Sequence, residues 1–491
     1  MDFKHSLERG SAKDHPIGEP LLPGESADEP HPANTHSETI WKAPFTKGLL
    51  DATVRIPGSK SLTNRAIALG AIADKPSVIR GALMSRDTHL MIDAIRELGA
   101  HVTVEDTTIR IDPPAILTPQ TGKIDCGLAG TVMRFIPALA ALCEGSVLFD
   151  GDAQARMRPM KPLLDALEEL GVTISYHGDR GYLPFTLTSP GRKGLRSKKI
   201  TIDARSSSQY VSALLLLSPL LDAPLEVKLA GQMPSPGHVH MTVVELERRG
   251  VTIEEKSLPA LIPGQMPSVY GWVIHPGHIQ GGEFDIEPDL TNAGPFLAAT
   301  LICGGQVRIE NWPAHTTQIG DMWRKIIPAM GGRIGRDSSD TLVARGTGTV
   351  GGIDWNLLDG GELAPMIAAL AAVAVNPSKL TGIGHLTGHE TNRLKALVNE
   401  IEAIGSHAKA TRHSLTVTPG ITHAADIATY NDHRMVMFAA LLGLAIEGIG
   451  IKNPECVSKT FPDFVAEWEK MVATAKPSGS TVVSSMPPSG Y

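Results

Sequence analysis

The chain has 491 residues, of which 42% are hydrophobic and 20% charged, so it carries enough apolar side chains for more than one core. Its formal net charge of −7 argues against a binder of nucleic acid or anionic membranes. The four cysteines form no CxxC pair, which argues against a disulfide framework or zinc site and predicts a cytoplasmic protein.

Both ends of the sequence have the composition of disordered tails. Residues 1–40 mix charged residues with prolines and contain no apolar core run, so they predict a disordered extension rather than a signal peptide. The Ser- and Pro-rich stretch 475–491 predicts a second disordered tail. No run of about 18 apolar residues occurs anywhere, so no membrane span is predicted.

Between the tails, two kinds of predicted helix alternate along the chain. Helices of the first kind are amphipathic, end near a glycine and lead into a strand; they fall within 91–104, 162–176, 243–255, 323–335 and 396–410. Helices of the second kind are apolar on all faces and therefore buried; they cover 61–73, 130–142, 207–221, 291–303, 362–375 and 433–446. Six copies of one α/β unit, in two domains of three, explain this period better than a solenoid of short repeats.

Polar and charged residues cluster where the buried helices begin. The helix starts carry Lys60, Ser61 and Arg65; Gly130, Thr131 and Arg134; Ser206, Ser207, Ser208 and Gln209; Asp289, Thr291 and Asn292; Glu362; and Asn431, Asp432, His433 and Arg434. Helix N-termini have free N–H groups and bind anions, and added Lys and Arg strengthen such a site. Helix capping explains the Ser, Thr and Asp residues equally well, but it does not explain cations on buried helices.

Three loops supply further candidates. Arg158 precedes a proline at the start of a surface helix, Glu390 and Arg393 lie in GHETNRL (388–394), and Lys459 precedes a terminal helix. Glu390 and Arg393 could simply pair with each other, and Lys459 could be a solvated surface lysine. PGSKS lacks the P-loop spacing, and the histidines of PSPGHVHM have no third metal ligand at a fitting spacing.

Seven motifs in register resemble the 5-enolpyruvylshikimate-3-phosphate synthase family. They are PGSKSLTNRA, GLAGTVMRF, RMRPMKPLLDAL, SSSQYVSALL, GHETNRL, YNDHRM and KTFPDF, within about residues 43–473. The resemblance implies an α/β (α+β) fold of two domains, an inside-out α/β barrel in which each domain has three βαβαββ units. We expect one domain over 58–285 and the other over 41–57 plus 286–474, the latter including the N-terminal strand.

The resemblance also implies the reaction. Members transfer the enolpyruvyl group of phosphoenolpyruvate to the 5-hydroxyl of 3-phosphoshikimate, the sixth step of the shikimate pathway to chorismate and aromatic amino acids. The reaction passes through a tetrahedral intermediate and releases phosphate. It needs no metal or organic cofactor, so the expected partners are the two small substrates. We further expect a monomer, closure of the two domains on substrate, and inhibition by glyphosate.

The resemblance also implies which residues bind the substrates and which are catalytic. Those expected to hold 3-phosphoshikimate are Lys60, Ser61, Arg65, Ser207, Ser208, Gln209, Ser235, Glu362 and His389. Those expected to hold phosphoenolpyruvate are Lys60, Gly130, Arg158, Gln209, Arg393, Arg434 and Lys459. The expected catalytic groups are Glu362, Glu390, Lys60 and His389, with Glu362 as the base for the hydroxyl proton.

The sequence departs from the family's commonest pattern at four positions. His389 stands where many members have Lys, His385 where many have Asn, Leu128 where Asn is frequent, and Glu362 where many have Asp. The order of proton transfers is therefore left open. Two alternatives are a UDP-N-acetylglucosamine enolpyruvyl transferase, which shares the fold and donor but usually carries a reactive loop cysteine, and an inactive scaffold paralogue.

Overall fold

The computed structural model describes residues 39–196, 199–258, 268–339, 341–388 and 390–477. The predicted tails, 1–40 and 475–491, fall largely outside these residues. Two short pieces of them are described: Ile40 begins the first strand, and Lys476 forms a β-bridge with Leu49.

The first stretch of chain alternates strands and helices up to residue 285. Its strands are β1 (Ile40–Lys42), β2 (Leu50–Val54), β3 (Ser77–Arg80), β4 (His101–Glu105), β5 (Thr108–Asp112), β6 (Lys123–Asp125), β7 (Glu144–Asp150), β8 (Thr173–Tyr176), β9 (Phe185–Pro190), β10 (Lys199–Ile202), β11 (Leu225–Leu229), β12 (Ile253–Leu258), β13 (Ser268–Ile274) and β14 (Glu283–Asp285). Its helices are α1 (Lys60–Ala71), α2 (Arg86–Glu97), α3 (Gly130–Ala140), α4 (Ala153–Arg156), α5 (Lys161–Leu170), α6 (Gln209–Leu217) and α7 (Pro236–Glu247).

The remaining chain repeats this alternation. Its strands are β15 (Gly305–Ile309), β16 (Arg333–Arg336), β17 (Leu342–Gly346), β18 (Asp354–Asn356), β19 (Ser378–Thr381), β20 (His407–Ala410), β21 (Ser414–Thr418), β22 (Asp426–Ile427) and β23 (Gly450–Lys452). Its helices are α8 (Leu290–Cys303), α9 (Trp323–Ala329), α10 (Ala364–Ala372), α11 (Arg393–Glu402), α12 (His433–Ala445) and α13 (Phe464–Ala473).

The described chain forms six sheets, each built on a parallel pair of strands that an antiparallel strand extends. Five sheets have four strands each, in which a parallel pair is extended by two antiparallel strands, as in β6-β7-β9-β8 and β18-β19-β21-β20. The sixth sheet has three strands: β22 and β23 form its parallel pair, and β1 pairs antiparallel to β23. The N-terminal strand thus completes the last repeat.

Two strands are exchanged between the halves of the molecule. β2 precedes α1 in the chain but pairs with β15, whereas β14 precedes α8 but pairs with β3. The connections that follow these strands bond to each other: Ser59 N–H donates to Glu287 O, and Asp289 N–H donates to Pro57 O, both at 2.8 Å. A Cβ at Gly58 would lie 2.0 Å from Gly81 O, so only glycine fits at this crossing.

Two separate apolar cores result. One draws its buried side chains from residues 66–279, around α1, α3 and α6. The other draws them from 43–54 and 290–472, around α8, α10 and α12. The amphipathic helices cover the outside, and α5 ends at Gly171 with φ 113°, the left-handed cap predicted from the sequence.

The predicted buried helices are all present, with two differences at proline. The segment predicted as helix 362–375 begins as a 3-10 turn, Gly361–Leu363, before α10. The segment predicted to run to 221 leaves α-helical geometry after Leu217 and continues as a 3-10 turn, Ser218–Leu220. Pro365 and Pro219 lie at these changes, and proline cannot donate the backbone hydrogen bond that an α-helix interior requires.

Candidate active site

A cleft of about 1110 Å³ lies between the two cores, and all six buried helices begin at its wall. Each of these helices, or the 3-10 turn before α10, places one residue of its first turn in the lining of the cleft. These residues are Lys60, Gly130, Gln209, Thr291, Glu362 and Arg434. The predicted convergence of helix N-termini is therefore present, and each contributes the partial positive charge of a helix dipole.

The cleft is cationic although the chain is acidic. Eight Lys or Arg residues and five Asp or Glu residues line it among the described residues, against a formal net charge of −7 for the whole sequence. A concave, positively charged site of this size suits small molecules that carry several negative charges.

The first core contributes lysine and arginine side chains with few acidic partners. Lys60 Nζ lies 3.1 Å from Asp87 Oδ2, and Asp87 is buried. Arg158 packs over Gly130, where an added Cβ would lie 3.4 Å from either guanidinium nitrogen and 3.3 Å from Gln209 Oε1. A side chain at Gly130 would therefore press on the groups expected to hold the donor.

Two buried arginines on this side are bonded to neutral groups. Arg65 donates to Thr242 Oγ1 at 2.7 Å and to the backbone oxygens of Ser61 and His238. Arg134 donates to the backbone oxygens of Gly130 and Pro159. Burial lowers the pKa of both side chains to about 10, because no carboxylate is hydrogen-bonded to either.

Ser207, Ser208, Gln209 and Ser235 line the same wall. Gln209 N–H donates to Ser207 Oγ at 3.3 Å, and Gln209 Oε1 is buried and accepts no hydrogen bond from the described residues. Ser235 holds a left-handed conformation with φ 49° immediately before α7. A polar wall of this kind can satisfy hydroxyl and phosphate groups of a bound ligand.

The second core contributes a buried network of opposite charges. Arg393 Nε lies 2.6 Å from Asp432 Oδ2, and its Nη2 lies 3.0 Å from Glu390 Oε2. Lys459 Nζ bonds the other oxygen of Glu390 at 2.8 Å. Asp432 also accepts from Arg434 N–H at the start of α12, so one carboxylate caps the helix and orients Arg393.

These contacts set the protonation states. Burial alone would raise the pKa of Glu390, but Lys459 and Arg393 hold it well below its ordinary value. Burial alone would likewise lower the pKa of Arg393, but Asp432 and Glu390 raise it. Burial, with Arg434 nearby, holds the pKa of His433 well below 6.5, so this imidazole is neutral at pH 7.

Glu362 stands between the two sides. It lies on the 3-10 turn before α10, its Oε2 is 3.8 Å from Arg434 Nη2, and its Oε1 is 3.2 Å from His238 Nε2 on the opposite core. Its side chain is 27% exposed, enough to be reached from the cleft. A carboxylate in this position can accept a proton from a ligand hydroxyl.

Most of the predicted site residues therefore line this cleft. The exceptions are Arg65, which lies one layer behind the wall, and His389, which falls outside the described residues. Glu390 pairs with both Arg393 and Lys459, and all three line the cleft, so the expected Glu390–Arg393 pair is present and Lys459 is not a solvated surface lysine.

Sequence reasoning missed Asp87 and His238 as cleft residues. Asp87 belongs to the first turn of α2, where an acidic residue is ordinary, and no sequence spacing links it to Lys60. His238 was considered only as a metal ligand. Among the described residues, no group of three His, Cys, Asp or Glu side chains is placed to hold a metal ion. The described helices also include none long and apolar enough to cross a membrane.

Comparison with known proteins identifies the family. The family model of EPSP synthase (3-phosphoshikimate 1-carboxyvinyltransferase) matches residues 46–468. The chain belongs to the EPSP synthase family. Two relatives named 3-phosphoshikimate 1-carboxyvinyltransferase support this: one from Kocuria rhizophila is 43% identical over 457 residues, covering 89% of this chain and 97% of the relative. One from Bifidobacterium longum is 42% identical over 447 residues, covering 88% and 98%.

Solved structures show the same fold as this chain. EPSP synthase from Acinetobacter baumannii superposes with a TM-score of 0.72 at 20% identity, covering 89% of this chain and 98% of that chain. The enolpyruvyl transferase NikO from Streptomyces tendae superposes with a TM-score of 0.66 at 18% identity, covering 88% and 97%. The expected enolpyruvyl transferase fold is confirmed.

Proposed function

We propose that this chain uses the cleft between its two cores to transfer the enolpyruvyl group of phosphoenolpyruvate to the 5-hydroxyl of 3-phosphoshikimate. The observation that carries the proposal is the convergence of six helix N-termini and eight cationic side chains on one cleft whose five acidic residues include Glu362 and Glu390. Cations bind the phosphates and carboxylates of both substrates, and the carboxylates move protons.

The acceptor belongs against the first core. Lys60, Ser61, Ser207, Ser208, Gln209 and Ser235 form the wall proposed for 3-phosphoshikimate, and Arg65 supports it from behind through Ser61 O. Lys60 also reaches the donor. Gly130, Arg158 and Gln209 from this core, and Arg393, Arg434 and Lys459 from the other, hold phosphoenolpyruvate. The donor site therefore needs both cores.

The reaction follows from this placement. Glu362 accepts the proton of the 5-hydroxyl as the hydroxyl oxygen bonds to C2 of phosphoenolpyruvate, while C3 takes a proton from the hydrogen-bonded pair of Lys459 and Glu390, in which the ammonium group carries it. The resulting tetrahedral ketal phosphate loses phosphate as the C2–C3 double bond re-forms, the C3 proton returns to that pair, and the proton held by Glu362 leaves with the phosphate. Lys60, Arg158 and Lys459 stabilise the charge on the leaving phosphate. His389 is assigned to the same proton-transfer group by resemblance.

Replacing Glu362 with glutamine tests the assignment of the base. Glu362→Gln keeps the size and polarity of the side chain but removes the basic oxygen, so kcat should fall about 100-fold or more with little change in thermal stability. Steady-state kinetics and thermal unfolding measure the two effects. Full activity would move the role to Glu390 or His389.

The acceptor itself is tested by phosphate release. Phosphoenolpyruvate should release phosphate with 3-phosphoshikimate and not with UDP-N-acetylglucosamine. The cysteines weigh against the second acceptor, since burial raises the pKa of Cys143, Cys303 and Cys456 to about 12 and also raises that of Cys126, so none is a reactive thiolate at neutral pH. Release with neither acceptor would favour an inactive paralogue.

The enzyme's state in the cell is also part of the proposal. We infer a cytoplasmic protein from its four free cysteines and a monomer from a cleft whose proposed ligands all come from one chain. Sedimentation velocity at micromolar concentration should give a single species near 52.2 kDa.

A further inference from the structure

The first turn of α7 bridges the cleft. Ser235 N–H donates to Leu358 O at 3.2 Å, and three residues later His238 Nε2 lies 3.2 Å from Glu362 Oε1. Ser235 and His238 belong to the first core, whereas Leu358 and Glu362 belong to the second. These two contacts therefore join the proposed acceptor wall directly to the proposed base.

The backbone of His238 is anchored on the first core. Its carbonyl oxygen accepts hydrogen bonds from Arg65 Nη2 at 2.8 Å and Thr242 Oγ1 at 3.1 Å. Its side chain is only 16% exposed. The backbone that carries the imidazole is thus fixed in place, and Nε2 of the ring reaches Oε1 of Glu362, whose side chain is more exposed than that of His238. A donor that is held in place and hydrogen-bonds a carboxylate restricts the rotamer of that carboxylate.

We propose that His238 is a positioning residue that holds Glu362 in the orientation needed to accept the hydroxyl proton. Nε2–H donates to Glu362 Oε1, so the carboxylate is oriented only while the first turn of α7 lies against the 3-10 turn of the second core. Because Ser235 in the same turn belongs to the acceptor wall, binding of the acceptor and orientation of the base are coupled. This inference rests on the proposed role of Glu362.

The electrostatic setting of Glu362 contains other groups that the test must separate from His238. Among the described residues, the charged or titratable groups that act on Glu362, besides His238, include Arg434, Arg393, Arg65, His385 and Asp289. Of these, only Asp289 is an acid. The cations persist in a His238 variant, so a change in the pH profile of that variant is due to the lost hydrogen bond.

Two substitutions at His238 and one control make the experiment. His238→Phe keeps a ring but removes the donor, His238→Gln keeps an amide donor, and His240→Phe changes an exposed histidine on the same helix. We expect His238→Phe to lower kcat about 10- to 100-fold with the KM for phosphoenolpyruvate nearly unchanged, as for a misplaced catalytic group. The glutamine variant should recover most of the loss, and His240→Phe should match the unmodified enzyme. Thermal unfolding of all three checks that they are folded.

The dependence of kcat on pH supplies a readout that a purely structural role would not give. A hydrogen bond to the charged carboxylate favours that form, so its loss in His238→Phe should move the acid limb of the profile to higher pH. His238→Gln, which retains a donor, should leave the limb near its original position. If His238→Phe has the kcat and pH profile of His240→Phe, the positioning role is overturned.

A double variant separates this inference from the proposed function beneath it. If Glu362 is the base and His238 acts through it, adding His238→Phe to Glu362→Gln should cause little further loss in single-turnover rate. If Glu362→Gln is impaired and His238→Phe lowers its rate by the same factor as in the unmodified enzyme, only the role of His238 is overturned. A fully active Glu362→Gln would instead overturn the assignment of the base, and the positioning role with it.

Discussion

The two walls of the cleft hold their buried arginines in different ways. On the first core, the buried cations Arg65 and Arg134 are bonded to hydroxyl and carbonyl oxygens, and burial lowers the pKa of each to about 10. On the second core, Arg393 is enclosed by Asp432 and Glu390, which raise its pKa. The charges of Arg65 and Arg134 are therefore not neutralised by a bonded carboxylate, whereas the charge of Arg393 is neutralised by two.

This difference assigns separate tasks to the walls. A wall with uncompensated cations gains most from a bound phosphate, which suits the substrate that arrives with a fixed dianionic group. A wall in which lysine, arginine and carboxylates already pair can hold a carboxylate such as Glu390 ionised and oriented for proton transfer. We therefore propose that the first wall binds the acceptor and that the second supplies most of the proton-transfer groups.

The largest expected effect comes from removing Arg393, the cation that pairs with two buried carboxylates on the second wall. Arg393→Leu leaves Asp432 and Glu390 buried without their shared cation, which should cost about 3–5 kcal/mol of stability and abolish activity. Arg134→Leu is the matched variant on the first wall. It removes a buried cation whose bonded partners are neutral, so it should cost no more than about 1–2 kcal/mol. Urea unfolding measures both, and equal losses would contradict the comparison.

A second prediction concerns closure of the cleft by 3-phosphoshikimate. The cations of the two walls repel each other, and a phosphate between them reverses that repulsion and favours closure. Since the proposed donor ligands come from both cores, phosphoenolpyruvate should bind about 100-fold more tightly when 3-phosphoshikimate is present. Small-angle scattering should show a smaller radius of gyration, and calorimetry should show the gain in affinity. An unchanged radius and donor affinity would mean that both half-sites are preformed.

The repeat and the location of the cleft could be predicted from sequence because both depend on periodic apolar patterns and on polar residues at helix starts. The partners within the site could not. Asp87 contacts Lys60 from a different helix, and His238 meets Glu362 from 124 positions away in the chain. Such pairs depend on how the cores pack and on the exchange of β2 and β14, neither of which leaves a periodic signal. The position of Arg65 behind the wall has the same cause.

A third prediction uses Gly130, where the first wall has no side chain. An alanine Cβ would lie 3.3–3.4 Å from Gln209 Oε1 and the Arg158 guanidinium, so these groups must shift by a few tenths of an ångström. We expect inhibition by glyphosate to be competitive with phosphoenolpyruvate and to weaken about 10-fold in Gly130→Ala, a loss of about 1.4 kcal/mol, with a smaller rise in the KM of the donor. Gly277→Ala, where an added Cβ meets nothing within 4 Å, is the matched control. Equal losses for inhibitor and donor would show that Gly130 does not discriminate between them.

The smallest expected effect is a pH dependence of stability that belongs to the second wall. His433 is buried among Arg434, Lys60, Lys459 and Glu390, and burial is the main reason that its pKa lies well below 6.5 in the folded protein. Below pH 6.5 the unfolded chain binds a proton at this histidine that the folded chain does not, so stability rises with pH in this window and falls as the pH drops.

Between pH 6.5 and 5.5, the loss from one such histidine is about 1 kcal/mol, and thermal or urea unfolding across this range measures it. His433→Gln should flatten the dependence by that amount. Burial also lowers the pKa of His385, which accounts for the slope that should remain in the variant. Glu390 has its folded pKa depressed, so its contribution is present above its unfolded pKa near 4.5 and is lost only at lower pH. A slope between pH 6.5 and 5.5 that survives His433→Gln unchanged would show that this imidazole titrates alike in both states, and that the second wall does not keep it neutral.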